Sequence, residues 1–408
     1  LRIDSGAIFS QHELALAGMQ SSSAFSLTNT DVCHLAQSCS KLHTLELSHT
    51  AIESTGLEAV LELTSLKRLA LYSCRQLSRP DGWGRLTVQC TSLREFVLHD
   101  VGGLGDSNAQ ALHSLAPNLS HIVIDSACKE DDPRAAGFRT TNSTMTGTGL
   151  EAVCGLLRLQ TASFYNLDAV ENFNLVHRVT TRQKMTEQEG CLRTLHLTSL
   201  TRLKHANVHS TVLEELCLRE LRSLTTLSIK CPFLETLKLC FCDKTRSLPS
   251  DWSLSVFVPR LSQVTLENID SEEVFMQVFR GLEAHCRTLQ SLSLRCIRLQ
   301  SSWQREDQSS WLKVMRQLRL SQLDTLVLDE VIGCSVLELQ HLTLLHSLTL
   351  RDMPDLRSVT ICCTPVGGWS WLEVSECHQL FSIDTVSPSP SSSSTNPAFK
   401  QPSDRTCS

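Results

Sequence analysis

Several things are scarce in this 408-residue chain, and each scarcity excludes something. Aromatic residues make up 5%, with two Tyr in all, so the core must rest on aliphatic side chains, chiefly Leu. No apolar run approaches the ~18 residues expected of a membrane-spanning helix. The 37 Lys and Arg against 43 Asp and Glu leave a net charge of −6, which gives no global reason to bind nucleic acid or an anionic membrane. The opening LRIDSG has neither an initiator Met nor a charged-then-apolar leader, and reads as starting inside a longer protein.

Chemical motifs are scarce as well. There is no G-x-x-x-x-G-K-[ST] phosphate loop and no G-x-S-x-G nucleophile elbow. His205 and His209 have i, i+4 spacing but lack the Glu of a zinc-protease helix, and they fall where an extended segment is expected. Adjacent Cys362 and Cys363 would face opposite sides of a strand, and Cys377-His378 has no partners. The reading is of a non-enzyme with no catalytic residues, no metal and no cofactor.

Cysteine, by contrast, is plentiful at 18 residues, scattered within or beside apolar runs. That pattern suits buried thiols in a reducing, cytoplasmic setting better than a disulfide framework, although two N-x-[ST] sequons (Asn118, Asn142) are present.

What dominates is repetition. TGLEAV occurs at Thr55–Val60 and again at Thr148–Val153. The form L-x-x-L-x-L recurs as LHTLEL from Leu42, LKRLAL from Leu66, LEELCL from Leu213 and LETLKL from Leu234. Variants begin at Leu93, Leu119, Leu159, Leu192, Leu261, Leu289, Leu323, Leu345 and Trp369, and most steps are 21–28 residues, with longer ones of 40, 33 and 34. Alternating apolar and polar positions describe a short strand with one buried face, and stacking such strands in parallel makes a long sheet. Leu1-Arg2-Ile3 looks like the tail of one more strand.

Return segments come in two kinds. Asp31, Thr55, Asn108 and Thr148 each sit eleven positions before a strand motif and are expected to N-cap a helix, with Thr55–Glu58 and Thr148–Glu151 as capping boxes. Elsewhere Leu224-x-x-Leu227-x-Ile229 and Leu356-x-x-Val359-x-Ile361 predict a second extended segment.

These motifs resemble the leucine-rich repeat family from Leu42 to about Ile383. The resemblance implies an α/β solenoid, or horseshoe, with a parallel concave sheet and a mixed helical and extended convex side. The ninth position, usually Asn or Cys in that family, reads Thr50, Cys74, Val101, Leu167, Leu200 and similar residues, so its polar ladder is expected to give way to apolar packing. Cys39, Cys90, Cys231 and Cys286, each three before a strand Leu, are similar to the cysteine-containing repeats of F-box leucine-rich proteins, and are expected to pack beneath the next strand.

The organisation expected is one repeat domain over 1–385 with about thirteen repeats, followed by a disordered Ser/Pro-rich tail over 386–408. Insertions are expected near 128–147, as an exposed loop, and 167–190, where VENFNLVHRV would form a short helix. On the concave surface a protein ligand is expected to meet Arg68, Tyr72, Arg94, His99, His121, Tyr165, His196, Arg219, Lys238, Arg295 and Arg351. Lys67, Arg68 and Arg94 make the one locally basic step. The resemblance implies substrate recognition for an F-box ubiquitin ligase, with ligase subunits held through a region upstream. The alternative is the sensor array of an intracellular immune receptor, suggested by the short repeats around Leu213–Cys242.

Overall fold

A computed structural model describes residues 2–4, 27–78, 83, 86–101, 104–126, 144–177, 191–241, 253–283, 288–298, 322–339, 342, 344–361 and 369–385. The segments 128–143 and 178–190, the tail 386–408, Cys242 and Cys286 lie outside the described residues.

The strand motifs build one fourteen-stranded parallel sheet. Its first half holds β1 (Arg2–Asp4), β2 (Thr44–Ser48), β3 (Arg68–Tyr72), β4 (Glu95–His99), β5 (His121–Asp125) and β6 (Thr161–Tyr165). It continues through β8 (Thr194–Thr198), β10 (Glu215–Arg219), β12 (Thr236–Cys240), β14 (Gln263–Ile269) and β15 (Ser291–Arg298). β16 (Thr325–Ile332), β18 (Ser347–Arg351) and β20 (Trp371–Ser375) complete it. Equivalent repeat positions pair without slippage, as in Thr44↔Arg68 and Arg68↔Glu95. The Leu1-Arg2-Ile3 reading holds, since Ile3 pairs with Leu47. The Leu side chains of successive strands form one continuous core, with Leu45, Leu69, Leu195, Leu237 and Leu326 fully buried.

The returns are of two kinds, as expected. Helices α1 (Asn29–Ser38), α2 (Ser54–Leu61), α3 (Asp106–Leu115) and α4 (Gly147–Cys154) run behind the first strands. Two further parallel sheets run behind later ones: β7 (Asn172–His177), β9 (His205–Ser210), β11 (Thr226–Lys230) and β13 (Ser253–Phe257), then β17 (Val336–Leu339), β19 (Ser358–Ile361) and β21 (Ser382–Thr385). Between them, α5 (Glu272–Glu283) buries Val274, Phe275, Val278, Phe279 and Leu282, the stripe of an amphipathic helix. The result is an α/β fold of stacked repeats, solenoid-like, with long parallel sheets and few helices.

Four expectations are corrected. The VENFNLVHRV segment is not a helix. Phe173 and Leu175 alternate inward, and its residues Asn172–His177 are strand β7, paired in parallel with β9. The helices also start earlier than expected. The N-caps are Thr28, Glu53, Gly105 and Thr146. Asp31 and Asn108 instead occupy the third helical position, where their side chains accept the N–H of Thr28 (2.9 Å) and Gly105 (3.1 Å). Gly147 opens α4, so the second helix start absorbs the end of the expected loop over 128–147. Finally Cys39 is exposed at the end of α1, whereas Cys90 and Cys231 pack beneath strands as expected.

Neither TGLEAV copy forms a capping box. Glu53 caps nothing with its side chain; Asn29, the first residue of α1, reaches across to accept the N–H groups of Glu53 and Gly56, both at 3.0 Å, and donates to Thr55 Oγ1 at 2.7 Å. At the second copy Asp106, the first residue of α3, accepts Thr146 N–H and Oγ1–H, both at 2.7 Å. The motif's Gly makes room for this visitor: a Cβ on Gly56 would stand 2.3 Å from Asn29 Oδ1, and one on Gly149 2.5 Å from Asp106 Oδ1. Its Glu points onward instead. Glu58 accepts Thr87 Oγ1–H at 3.1 Å, and Glu151 accepts Asn174 N–H of β7 at 2.9 Å. TGLEAV is thus a joint between three successive repeats.

The missing ladder has moved by one residue. Ninth-position side chains such as Cys74, Val101, Leu167 and Met353 are buried, as expected. The residue before them carries positive φ in eleven repeats: His49, Ser73, Asp100, Asn166, Ser199, Glu220, Asn268, Cys296, Glu330, Asp352 and Glu376. Left-handed backbone is costly for such residues, and the ninth side chain that follows turns into the core. Bonds from the same position offset the cost, including Ser73 Oγ to Asp100 Oδ2 (3.0 Å) and Ser199 Oγ to Glu220 Oε2 (2.7 Å).

Candidate interaction face

Because side chains alternate along a strand, positions three, five and seven of each motif lie on the face of the long sheet opposite the Leu core. Here the pattern places Arg68, Tyr72, His99, His121, Tyr165, His196, Arg219, Lys238, Arg295 and Arg351 together on one face. Arg94 is the exception. It sits at position two, on the edge where the chain enters each strand, and its Nη1 donates to the carbonyls of Thr91 (2.8 Å) and Leu93 (3.0 Å).

The cations on this face are mostly stitched to carboxylates on adjacent strands. Arg68 bonds Glu95 and lies 3.5 Å from Glu46, and together they roof over Ala70, which is fully buried. Lys238 Nζ donates to Glu215 Oε1 at 2.8 Å, holding that carboxyl below the usual range. Arg351 donates to Glu373 at 2.6 Å, Arg295 lies 3.9 Å from Glu267, and His99 Nε2 lies 3.3 Å from Asp125. Arg219 stays with its own neighbour, Glu220, at 3.8 Å. Half-exposed ion pairs of this kind contribute about 0–1 kcal/mol each. They decide orientation rather than stability, and they leave the face patterned but nearly neutral.

Ser163, His196 and Glu215 stand in a line across β6, β8 and β10. Ser163 Oγ is 3.3 Å from His196 Nδ1, and His196 Nε2 is 3.7 Å from Glu215 Oε1, too long for a hydrogen bond. Burial holds His196 below the usual imidazole range, hence neutral at pH 7, and burial also pushes the neighbouring Cys217 thiol up. A nucleophile needs an accessible oxygen or a thiolate, and a base gripped on both sides. Ser163 is buried and the Cys217 thiol is pushed up, so neither is poised as a nucleophile. No family model and no curated protein matches this chain. Among the described residues, no group of three or more His, Cys, Asp or Glu could hold a metal ion, and no helix is long and apolar enough to cross a membrane.

Aromatic side chains supply the rest of the face. Tyr72 and His99 are in contact, with ring centroids 6.0 Å apart. Trp371, on the last strand, is 58% exposed and was not among the expected contact residues. Its third position in the WSWLEV motif puts it in the same row as Thr325 and Ser347. Cys240 occupies a face position yet is buried, with Asn268 Nδ2 3.5 Å from its sulfur.

Proposed function

We propose that this chain is a non-catalytic protein-recognition module of leucine-rich repeat type, binding a protein ligand on the concave side of its long sheet. The observation that carries the reading is a single face, fourteen strands wide, on which charges are already paired and Tyr72, Tyr165 and Trp371 stand among polar side chains. Broad polar faces with scattered aromatic anchors suit polypeptides better than small molecules, which need an enclosed apolar cleft. The finer role, substrate recognition for an F-box-type ubiquitin ligase in the cytoplasm, rests on the cysteine-containing repeats alone. It requires a helical F-box upstream, which the complete reading frame would reveal.

Affinity capture with the wild-type chain, a Tyr72→Ala/Tyr165→Ala/Trp371→Ala variant and a back-sheet Phe257→Ala variant tests the reading. A protein retained by the first and third but lost by the second supports it. No selectively lost protein, together with turnover of a small substrate by the purified chain, would sink it.

A further inference from the structure

The leading edge of the long sheet carries a feature that positions three, five and seven do not. Position-two residues form an unbroken backbone ladder: Lys67 N–H donates to His43 O, Arg94 to Lys67, Ser120 to Arg94, and so on through Gln160, Arg193, Glu214, Glu235, Ser262, Gln290, Asp324 and His346 to Ser370. Their side chains are therefore adjacent along one line, about 4.8 Å per step. The first six include three Lys or Arg and no acid; the next seven include three acids and no Lys or Arg. The sign changes where Arg193 meets Glu214, at 3.0 Å.

At the basic end the charge is uncompensated. Lys67 and Arg94 are exposed, and no carboxylate among the described residues lies within ion-pair distance of either. The carbonyls of Thr91 and Leu93 fix the Arg94 guanidinium without neutralising it, so the cation is held in place before any ligand arrives. Further along the row Arg193 is paired with Glu214, and off the row Lys204 and Lys238 are paired with Glu171 and Glu215. Lys67 and Arg94 stand on adjacent steps of the row, between His43 and Ser120, so their charges are strung along a line. A line of single charges fits carboxylates spaced along a chain better than one phosphate dianion.

We propose that the leading edge over β2–β5 docks an acidic, Asp/Glu-rich segment of the protein partner. The acidic half of the same row repels that segment, which fixes where it lies along the sheet. This rests on the recognition reading above. The test is fluorescence anisotropy with a labelled decaglutamate peptide and the full chain, at low and at physiological salt. Binding that weakens with salt, falls about tenfold in Lys67→Glu/Arg94→Glu and is unchanged in Lys204→Glu is expected. Lys67→Glu alone, which leaves the Arg94 clamp intact, is expected to weaken binding severalfold if the double variant misfolds. Absence of binding at low salt, equal binding by the charge-reversed variants, or binding of a phosphoserine peptide or an oligonucleotide but not decaglutamate would each overturn it. A captured partner that depends on Tyr72, Tyr165 and Trp371 but not on Lys67 or Arg94 would retain the recognition reading and reject this one.

Discussion

The repeats backed by α1–α4 and those backed by β7, β9, β11 and β13 carry the same strand motif but return by different routes. Length does not decide between routes. The step from Leu42 to Leu66 and that from Leu345 to Trp369 are both 24 residues, yet one holds helix α2 and the other strand β19. Composition separates this pair: STGLEAVL offers helix formers around a Gly, whereas SVTI is largely β-branched. Neighbours then enforce the choice. Helices α2 and α4 are each held by the first residue of the helix before it, while each back strand is held by parallel pairing, so a change of route needs a joint. Helix α4 is that joint, with Glu151 closing the edge of β7 and Gly147 pressed against the Asn172 carbonyl.

Breaking that joint is expected to have the largest effect. A Cβ on Gly147 would stand 1.8 Å from Asn172 O, a backbone atom that cannot swing aside. Gly147→Val is expected to cost roughly 3 kcal/mol and to loosen β7 first. Urea unfolding with hydrogen exchange at β7 and β9 would check this; unchanged protection there would place the joint elsewhere.

A smaller effect separates the cross-helix caps from the motif's own threonines. Asn29→Ala leaves the Glu53 and Gly56 N–H groups without their acceptor and is expected to cost about 1–2 kcal/mol. Thr55→Ala is expected to cost less, and Thr148→Ala close to nothing, because the cap there is Thr146. Equal losses at Asn29 and Thr148 in thermal unfolding would restore the local capping box.

The smallest effect lies on the open face of the sheet-backed half. Burial depresses the folded-state pKa of His196, so the unfolded chain takes up its proton more readily. Its contribution is present above the ordinary imidazole range near pH 6.5 and declines as pH falls below it. Glu215, depressed by Lys238, acts in the same direction at lower pH, below the ordinary carboxylate value of 4.5. His196→Asn is expected to flatten the stability profile just below about pH 6.5 and leave the acid limb in place. A profile identical to the wild type would show that His196 is solvated.

Much of this was legible in residue order. Alternation in L-x-x-L-x-L marks each strand and each face, so the contact residues other than Arg94 could be grouped before any coordinates. Segments such as LRSVTI declare extended backs by their β-branched content. What failed was local capping logic. Thr55 with Glu58 has the right letters for a box, but the acceptor for the helix's first N–H groups is Asn29 Oδ1, bonded by Glu53 and Gly56 N–H. The helix expected in VENFNLVHRV failed for a related reason, since only the neighbouring β9 decides that Asn172–His177 is extended.

The sequence by itself determined the repeat, its strands and the buried row, because a period of two on one face is set by covalent geometry and apolar content. Tertiary structure alone decided which residue caps which helix, where the polar ladder runs and which charges remain unpaired. Each of those depends on contacts between residues some 20 to 40 positions apart, brought together by stacking and by nothing in the local chain. The doubled TGLEAV shows both: its repetition is a fact of sequence, its work as a joint a fact of packing.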